Sequence, residues 1–328
     1  MKIKSIENNE FNIQFTVSNK CNYNCVYCPP KLKSGSTPLI SADIYVNFFN
    51  NLFIDNPQIL KYEKKFISFT GGEPTIYPGL EILIDFFKQN NFYVNLDTNG
   101  SAKMDFWEKN LSKFNITNLS LHPRYGNFNH ILQVVKLGIE KKSVVKVGIL
   151  MDPEYWNRAI EAVNFFKENK VPVIEFKGLI FRLNAESQED KKKRQQYYES
   201  YTPEQMNWIK NNTYHNSNTL KSINPNYMTR NAYIIYEDNT KEKFLGQILH
   251  TKNINNFFGY KCFAGIDSLS VKWDGNIEGA NCGMTNHGLT FGNLLKEPNL
   301  RIKLFETPIT CKMKKCGCVS DMRIKKYI

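Results

Sequence analysis

FNIQFTVSNKCNYNCVYC, residues 11–28, opens on alternating apolar and polar residues and ends in three cysteines. Residues 11–17 read as a β-strand, so Cys21, Cys25 and Cys28 stand on the loop at that strand's carboxyl end. Five later segments share this character: FISFT (66–70), FYVNLDT (92–98), ITNLSLH (116–122), VVKVGIL (144–150) and VPVIEFK (171–177). Between them lie 40–53, 80–90, 104–114, 128–140 and 156–169, where apolar residues recur at helical intervals. Strands alternating with helices imply right-handed βαβ crossovers and a parallel sheet, closed or partly closed.

The expected fold class is α/β: a partial (β/α)6 TIM-like barrel over residues 1–180, with ligands at the carboxyl ends of its strands. The pattern breaks at Gly178. Residues 181–256, with the charge run EDKKKRQQ (189–196) and a helical TPEQMNWIKNN (202–212), read as a polar insertion or linker, either a solvated face or a basic flap over a substrate mouth. In 257–328, SLSVKW and NIEGA flank the turn Asp274-Gly275. This predicts a hairpin in a small cysteine-rich domain of hairpin and helix.

Composition narrows the class. Of the 328 residues 41% are hydrophobic and 13% aromatic, enough to build a core and exclude disorder as the main state. The apolar runs are too short to cross a bilayer, and MKIKSIENNEFN lacks the apolar centre of a secretory signal, so a cytoplasmic setting with reduced thiols is expected. A formal charge of +12 favours an anionic partner, but without an arginine stripe specific nucleic-acid binding is not expected.

The eight cysteines separate into Cys21, Cys25 and Cys28 near the start and Cys262, Cys282, Cys311, Cys316 and Cys318 near the end. Reduced, they read as metal ligands. Thiolates at i, i+4 and i+7 can converge on one centre, and three leave a coordination position open for substrate, although they could also be three of four zinc ligands. GGEP, Gly71 to Pro74, follows the second strand at the same rim, and its glycines permit close approach of a ligand.

CxxxCxxC after one strand and GGEP after the next resemble the radical SAM superfamily, over about residues 11 to 180. The resemblance implies that Cys21, Cys25 and Cys28 hold a 4Fe-4S cluster whose fourth iron is chelated by S-adenosylmethionine (SAM). Tyr27 fits the aromatic before the last cysteine. Gly71, Gly72, Glu73 and Pro74 would meet the methionyl amine, and Thr98, Asn99, Ser120 and His122 would lie near the ribose or substrate. His122 is also a catalytic candidate, against the commoner structural role of a lone histidine. Asp97 and Asp152 read as capping or loop residues.

The segments CFAGIDSLSVKWDGNIEGANCG (262–283) and FGNL (291–294) look like a SPASM or twitch domain, which implies one auxiliary 4Fe-4S cluster. Five cysteines exceed its four ligands by one. Cys311 is carried both as a ligand and as a candidate hydrogen-donating thiol, and a structural zinc knob is the alternative. The implied activity is reductive cleavage of SAM to a 5'-deoxyadenosyl radical and hydrogen abstraction, with flavodoxin or ferredoxin as electron donor. The expected outcome is oxidative modification or cross-linking of a ribosomal peptide, although the twenty residues before Cys21 are too few for a peptide-recognition domain. The alternatives are dehydrogenation or epimerisation of a phosphorylated sugar, aminocyclitol or nucleotide, and, from another class, a non-catalytic zinc-binding protein.

Overall fold

The computed structural model describes residues 2–179, 192, 195–212, 222–230, 232–244, 249, 254–282 and 288–328. Six parallel strands lie in chain order across one sheet: β2 (Glu10–Thr16), β3 (Lys64–Thr70), β4 (Tyr93–Thr98), β5 (Ile116–Leu121), β6 (Val145–Met151) and β7 (Ile174–Gly178). The intervening helices are α1 (Ala42–Asp55), α2 (Leu80–Gln89), α3 (Met104–Asn110), α4 (Phe128–Glu140) and α5 (Trp156–Glu168). This is the expected partial barrel, with no closing contact between β7 and β2.

Period-two alternation sorts the strands into two faces. Phe15, Ile67, Leu96, Leu119 and Val147 join the core against the helices. The residues between them, including Asn95, Asp97, Asn118, Lys146, Glu175 and Lys177, belong to the opposite, polar face. Helix ends follow local rules. The Ser41 hydroxyl caps α1 by accepting from the Ile44 N–H, and the Asn127 side chain caps α4 through the His130 N–H. Asn91, Lys142 and Lys170 take left-handed φ values of 59°, 51° and 52° just after α2, α4 and α5. The six-to-one bonds Phe92 to Phe87, Ser143 to Gly138 and Val171 to Phe166 complete a Schellman motif at each.

The remaining strands depart from expectation. The predicted hairpin forms from β11 (Ser268–Val271) and β12 (Asn276–Glu278), but β11 runs parallel to β2, with Ser268 opposite Asn12 and Val271 opposite Phe15. It therefore extends the barrel sheet instead of standing in a separate domain, and β13 (Thr290–Asn293) completes nine strands among the described residues. The stretch expected as a linker supplies the strands β8 (Ala232–Tyr236) and β9 (Lys241–Lys243). They join β1 (Ile3–Asn8), β10 (Lys261–Cys262), β14 (Ile309–Thr310) and β15 (Lys326–Tyr327) in a second sheet, ordered β14-β10-β15-β1-β8-β9. Of the linker's helical segment, α6 (Pro203–Asn212) forms, while most of EDKKKRQQ lies outside the described residues. A last short helix, α7, spans Val319–Met322. Among the described residues no helix is long and apolar enough to cross a membrane.

Candidate active site and cysteine clusters

The loops after β2, β3 and β4 meet at one rim. The Gly72 N–H donates to the Ser18 carbonyl (3.0 Å) and the Glu73 N–H to that of Lys20 (2.8 Å). These bonds lay GGEP directly on the cysteine loop. A Cβ built on Gly72 would stand 2.0 Å from the Lys20 carbonyl oxygen, and one on Gly71, at φ +133°, 2.6 Å from that of Ser18. Only glycine allows such contact. The Glu73 carboxylate is buried and accepts at both oxygens: Oε1 from the Thr75 N–H (3.0 Å), the Thr75 hydroxyl (2.6 Å) and the Thr98 hydroxyl (2.6 Å), Oε2 from the Asn99 N–H (2.7 Å). Pro74 opens the turn that follows. The Asn99 side chain donates in turn to Asn22, between two of the cysteines (2.8 Å). Thr98 and Asn99, expected beside ribose or substrate, thus fasten the rim together. Asn99 also borders a cavity of about 380 Å³ with Tyr23, Ser101, Lys103 and His130.

Cys25 is buried, and Cys21 and Cys28 are half-buried. Burial pushes the Cys25 thiol up to about 11 and raises that of Cys21. Such thiols stay protonated until a metal displaces the proton. His122 Nδ1 faces both the Tyr27 hydroxyl (2.7 Å) and Cys25 Sγ (3.2 Å), the Tyr27 ring stacking on the imidazole at 9°. Burial, with the Lys177 ammonium second, lowers His122 to about 4, so the imidazole is neutral near pH 7. Ser120 pairs in register with Gly148, where a Cβ would come 2.8 Å from Lys177 Nζ. Lys177 and Lys146 flank the buried Glu175 (3.7 and 3.0 Å to Oε2). Asp97, expected as a capping or loop residue, instead lies within β4 and accepts across the sheet from Asn118 on β5 (2.7 Å), because the strand's polar face turns its side chain toward its neighbour.

The sequence did not single out Tyr197, Tyr198 and Tyr201. The Tyr197 hydroxyl donates to Asp152, the Tyr198 hydroxyl to the Tyr27 carbonyl (3.3 Å) and the Tyr201 hydroxyl to the Met151 carbonyl. Tyr197 packs in one apolar cluster with Cys25 and Tyr27. Aromatic residues wall this side of the rim. Their signal was the dense YYESY at 197–201.

The late cysteines also divide. Cys262, Cys282, Cys311 and Cys316 line one apolar cavity with Phe257, Met313 and Ile324, and Asp321 and Lys326 border it. Cys318 is the N-cap residue of α7 and is not among the lining residues. Burial raises the Cys262 thiol and pushes that of Cys316 well above its ordinary value. Among the described residues no three Cys, His, Asp or Glu side chains are grouped tightly enough to hold a single metal ion. The donor chemistry fits iron-sulfur groups in both places: three thiols beside a glycine-built cradle at the rim, four thiols around an apolar space in the tail.

The family model for the radical SAM superfamily matches residues 15–193. Native anSMEcpe with bound AdoMet and Kp18Cys peptide shares the fold at a TM-score of 0.55 and 18% identity, over 91% of this chain and 81% of that one. The same protein with AdoMet alone gives 0.52 and 17%, over 90% and 80%. A 7-carboxy-7-deazaguanine synthase of Haemophilus influenzae is 30% identical over 83 residues, 25% of this chain and 33% of that relative. The match thus spans a third of that curated relative's length. With this rim and this match over more than half its length, the chain belongs to the radical SAM superfamily.

Proposed function

We propose that this enzyme oxidatively modifies or cross-links a ribosomal peptide, with SAM bound at a cluster on Cys21, Cys25 and Cys28 and a second 4Fe-4S cluster on Cys262, Cys282, Cys311 and Cys316. The observation that carries the reading is the ring of four thiols around one cavity, on a chain segment joined through β11 to β2, the strand that leads into the first cysteine loop. A cubane binds its thiolates at four separate irons and suits thiols that surround a space, whereas zinc draws them to one point. When bound, the first cluster and SAM supply a 5'-deoxyadenosyl radical for hydrogen abstraction.

The protein's own part is positioning and exclusion of water. The Glu73 N–H bonds the cysteine loop and its carboxylate bonds the loops after β3 and β4, and Gly71 and Gly72 leave backbone space for the methionyl end of SAM. Tyr27, Ser120 and the neutral His122 border the reacting region, and Tyr197 closes its side. Cys318 takes the place of Cys311 as the spare thiol. Flavodoxin or ferredoxin serves as electron donor in a cytoplasmic setting. The peptide reading draws support from anSMEcpe, a fold relative described with a bound peptide. A small anionic substrate is the second reading, favoured by Lys146 and Lys177 on the polar face of the sheet.

Iron analysis and EPR after anaerobic reconstitution test the partition. Wild-type protein should bind about eight irons and the Cys21→Ala/Cys25→Ala/Cys28→Ala variant about four. Reduced wild type with SAM alone should form 5'-deoxyadenosine, and Cys25→Ala should form none. The Cys262→Ala/Cys282→Ala variant, if circular dichroism shows it folded, should still cleave SAM but lose final product. Wild-type iron in the triple variant, or 5'-deoxyadenosine from Cys25→Ala, overturns the assignment.

A further inference from the structure

Lys326 stands directly across the β10–β15 ladder from Cys262 and borders the four-thiol cavity. It is 2% exposed. Its ammonium donates to the carbonyls of Asp321 (2.8 Å) and Met322 (3.0 Å), using two of its three hydrogens, and lies 4.5 Å from the centre of the Phe257 ring. Both oxygens it hydrogen-bonds are backbone carbonyls, while the buried carboxylates of Asp321 and Asp267 interact with its charge without pairing to it directly. A buried ammonium without an anion is costly. Asp321 also borders the cavity, its Oδ1 taken by the Asn281 N–H, and its carboxylate would oppose the field of Lys326. Asp267, also buried, feels the same ammonium, so Lys326 is shared among several groups, and four thiolates around iron would place the largest negative charge beside it.

We propose that Lys326 is the resident counter-charge of the auxiliary cluster and raises its reduction potential, so that this centre takes up an electron readily. The inference rests on the auxiliary-cluster reading above. A cubane with four thiolates carries charge −2 when oxidised and −3 after gaining one electron. A fixed neighbouring cation stabilises the second state more than the first, and it does so strongly where little water screens the pair. The protein residue itself undergoes no bond change. Its opposite role would be purely structural, as a cap on the last carbonyls of α7.

The test uses the Cys21→Ala/Cys25→Ala/Cys28→Ala protein, in which only the tail cluster remains, and follows its reduction by EPR in a redox titration. Lys326→Gln keeps an N–H donor for the two carbonyls but loses the charge; Lys326→Arg keeps both. The Gln variant should bind iron as its parent does and be reduced at a lower potential, by at least a tenfold change in the equilibrium, 59 mV for one electron. The Arg variant should stay near the parent. An unchanged potential in the Gln variant overturns the proposal. The metal-free protein gives a second readout: Lys326→Gln keeps a donor for the two carbonyls, so its unfolding equilibrium in urea should stay within about fivefold of the parent's, about 1 kcal/mol, and a larger fall in stability would assign Lys326 to capping instead. A parent that binds no iron removes the auxiliary-cluster reading and this inference with it.

Discussion

Glu73 shows how much one buried carboxylate can organise. Its oxygens satisfy two hydroxyls and two backbone N–H groups from two rim loops, and none of this needs a charge partner. Glu73→Gln replaces one acceptor oxygen with a donor that must face an N–H or hydroxyl. The expected cost is about 1–3 kcal/mol of stability, measured by urea unfolding, with weaker retention of the first cluster. The motif around Glu73 was legible because glycine, glutamate and proline are contiguous. What the carboxylate holds was not, because Thr98 and Asn99 arrive a whole βα unit later. Tyr197 was hidden for the same reason: its partner Asp152 and its neighbour Cys25 are remote in sequence. Asp267 offers a pH test. Burial raises it from 3.8 to about 8, and its Oδ1 lacks a hydrogen-bond partner among the described residues. Between those two values the folded state holds the proton that the unfolded state has lost, so this group makes stability fall as pH rises from about 4 to 8. Asp267→Asn should flatten that slope in a pH series of urea unfolding. At pH 8 it should gain more than about 1 kcal/mol, the equivalent of one pKa unit.

At the scale of elements, the three Schellman endings are a repeated solution with a repeated strain. Asn91, Lys142 and Lys170 adopt a backbone region that costs an L-residue about 1–2 kcal/mol, where glycine is the usual choice. Lys142→Gly and Lys170→Gly should therefore each stabilise the chain by up to about 1 kcal/mol, since neither side chain enters the core. Parallel shifts of the urea midpoint, with unchanged SAM cleavage, would check this. The helices themselves were legible because long periodic runs declare their faces, and the six barrel strands because each is bracketed by one of those helices. The strands β1, β8 and β15 were not. IKSIEN, AYIIY and KY are short and set among polar residues, and only pairing with strands from the other ends of the chain gives them a buried face. The hairpin is legible in SLSVKW and NIEGA around Asp274-Gly275, but its attachment to β2 is not, since a strand does not announce which edge it will join.

At the scale of the whole molecule, β1 is the seam of the second sheet. It pairs with β8 on one side and β15 on the other, and β15 carries Lys326 and pairs with Cys262 on β10. Deleting residues 2–8 should therefore unmake the tail cavity while sparing the rim, whose strands pair among themselves. Iron after reconstitution should fall from about eight to about four, and SAM cleavage should persist. The same layout has a consequence for time. During synthesis each barrel strand from β3 to β7 finds its neighbour within one βα unit, the short-range contact that forms quickly. By contrast, β1 must wait for residues 232–236 and 326–327, and one edge of β2 waits for 268–271. β1 is thus paired later than the barrel strands that follow it, and the tail cavity is completed only after residues 326–327 have been made.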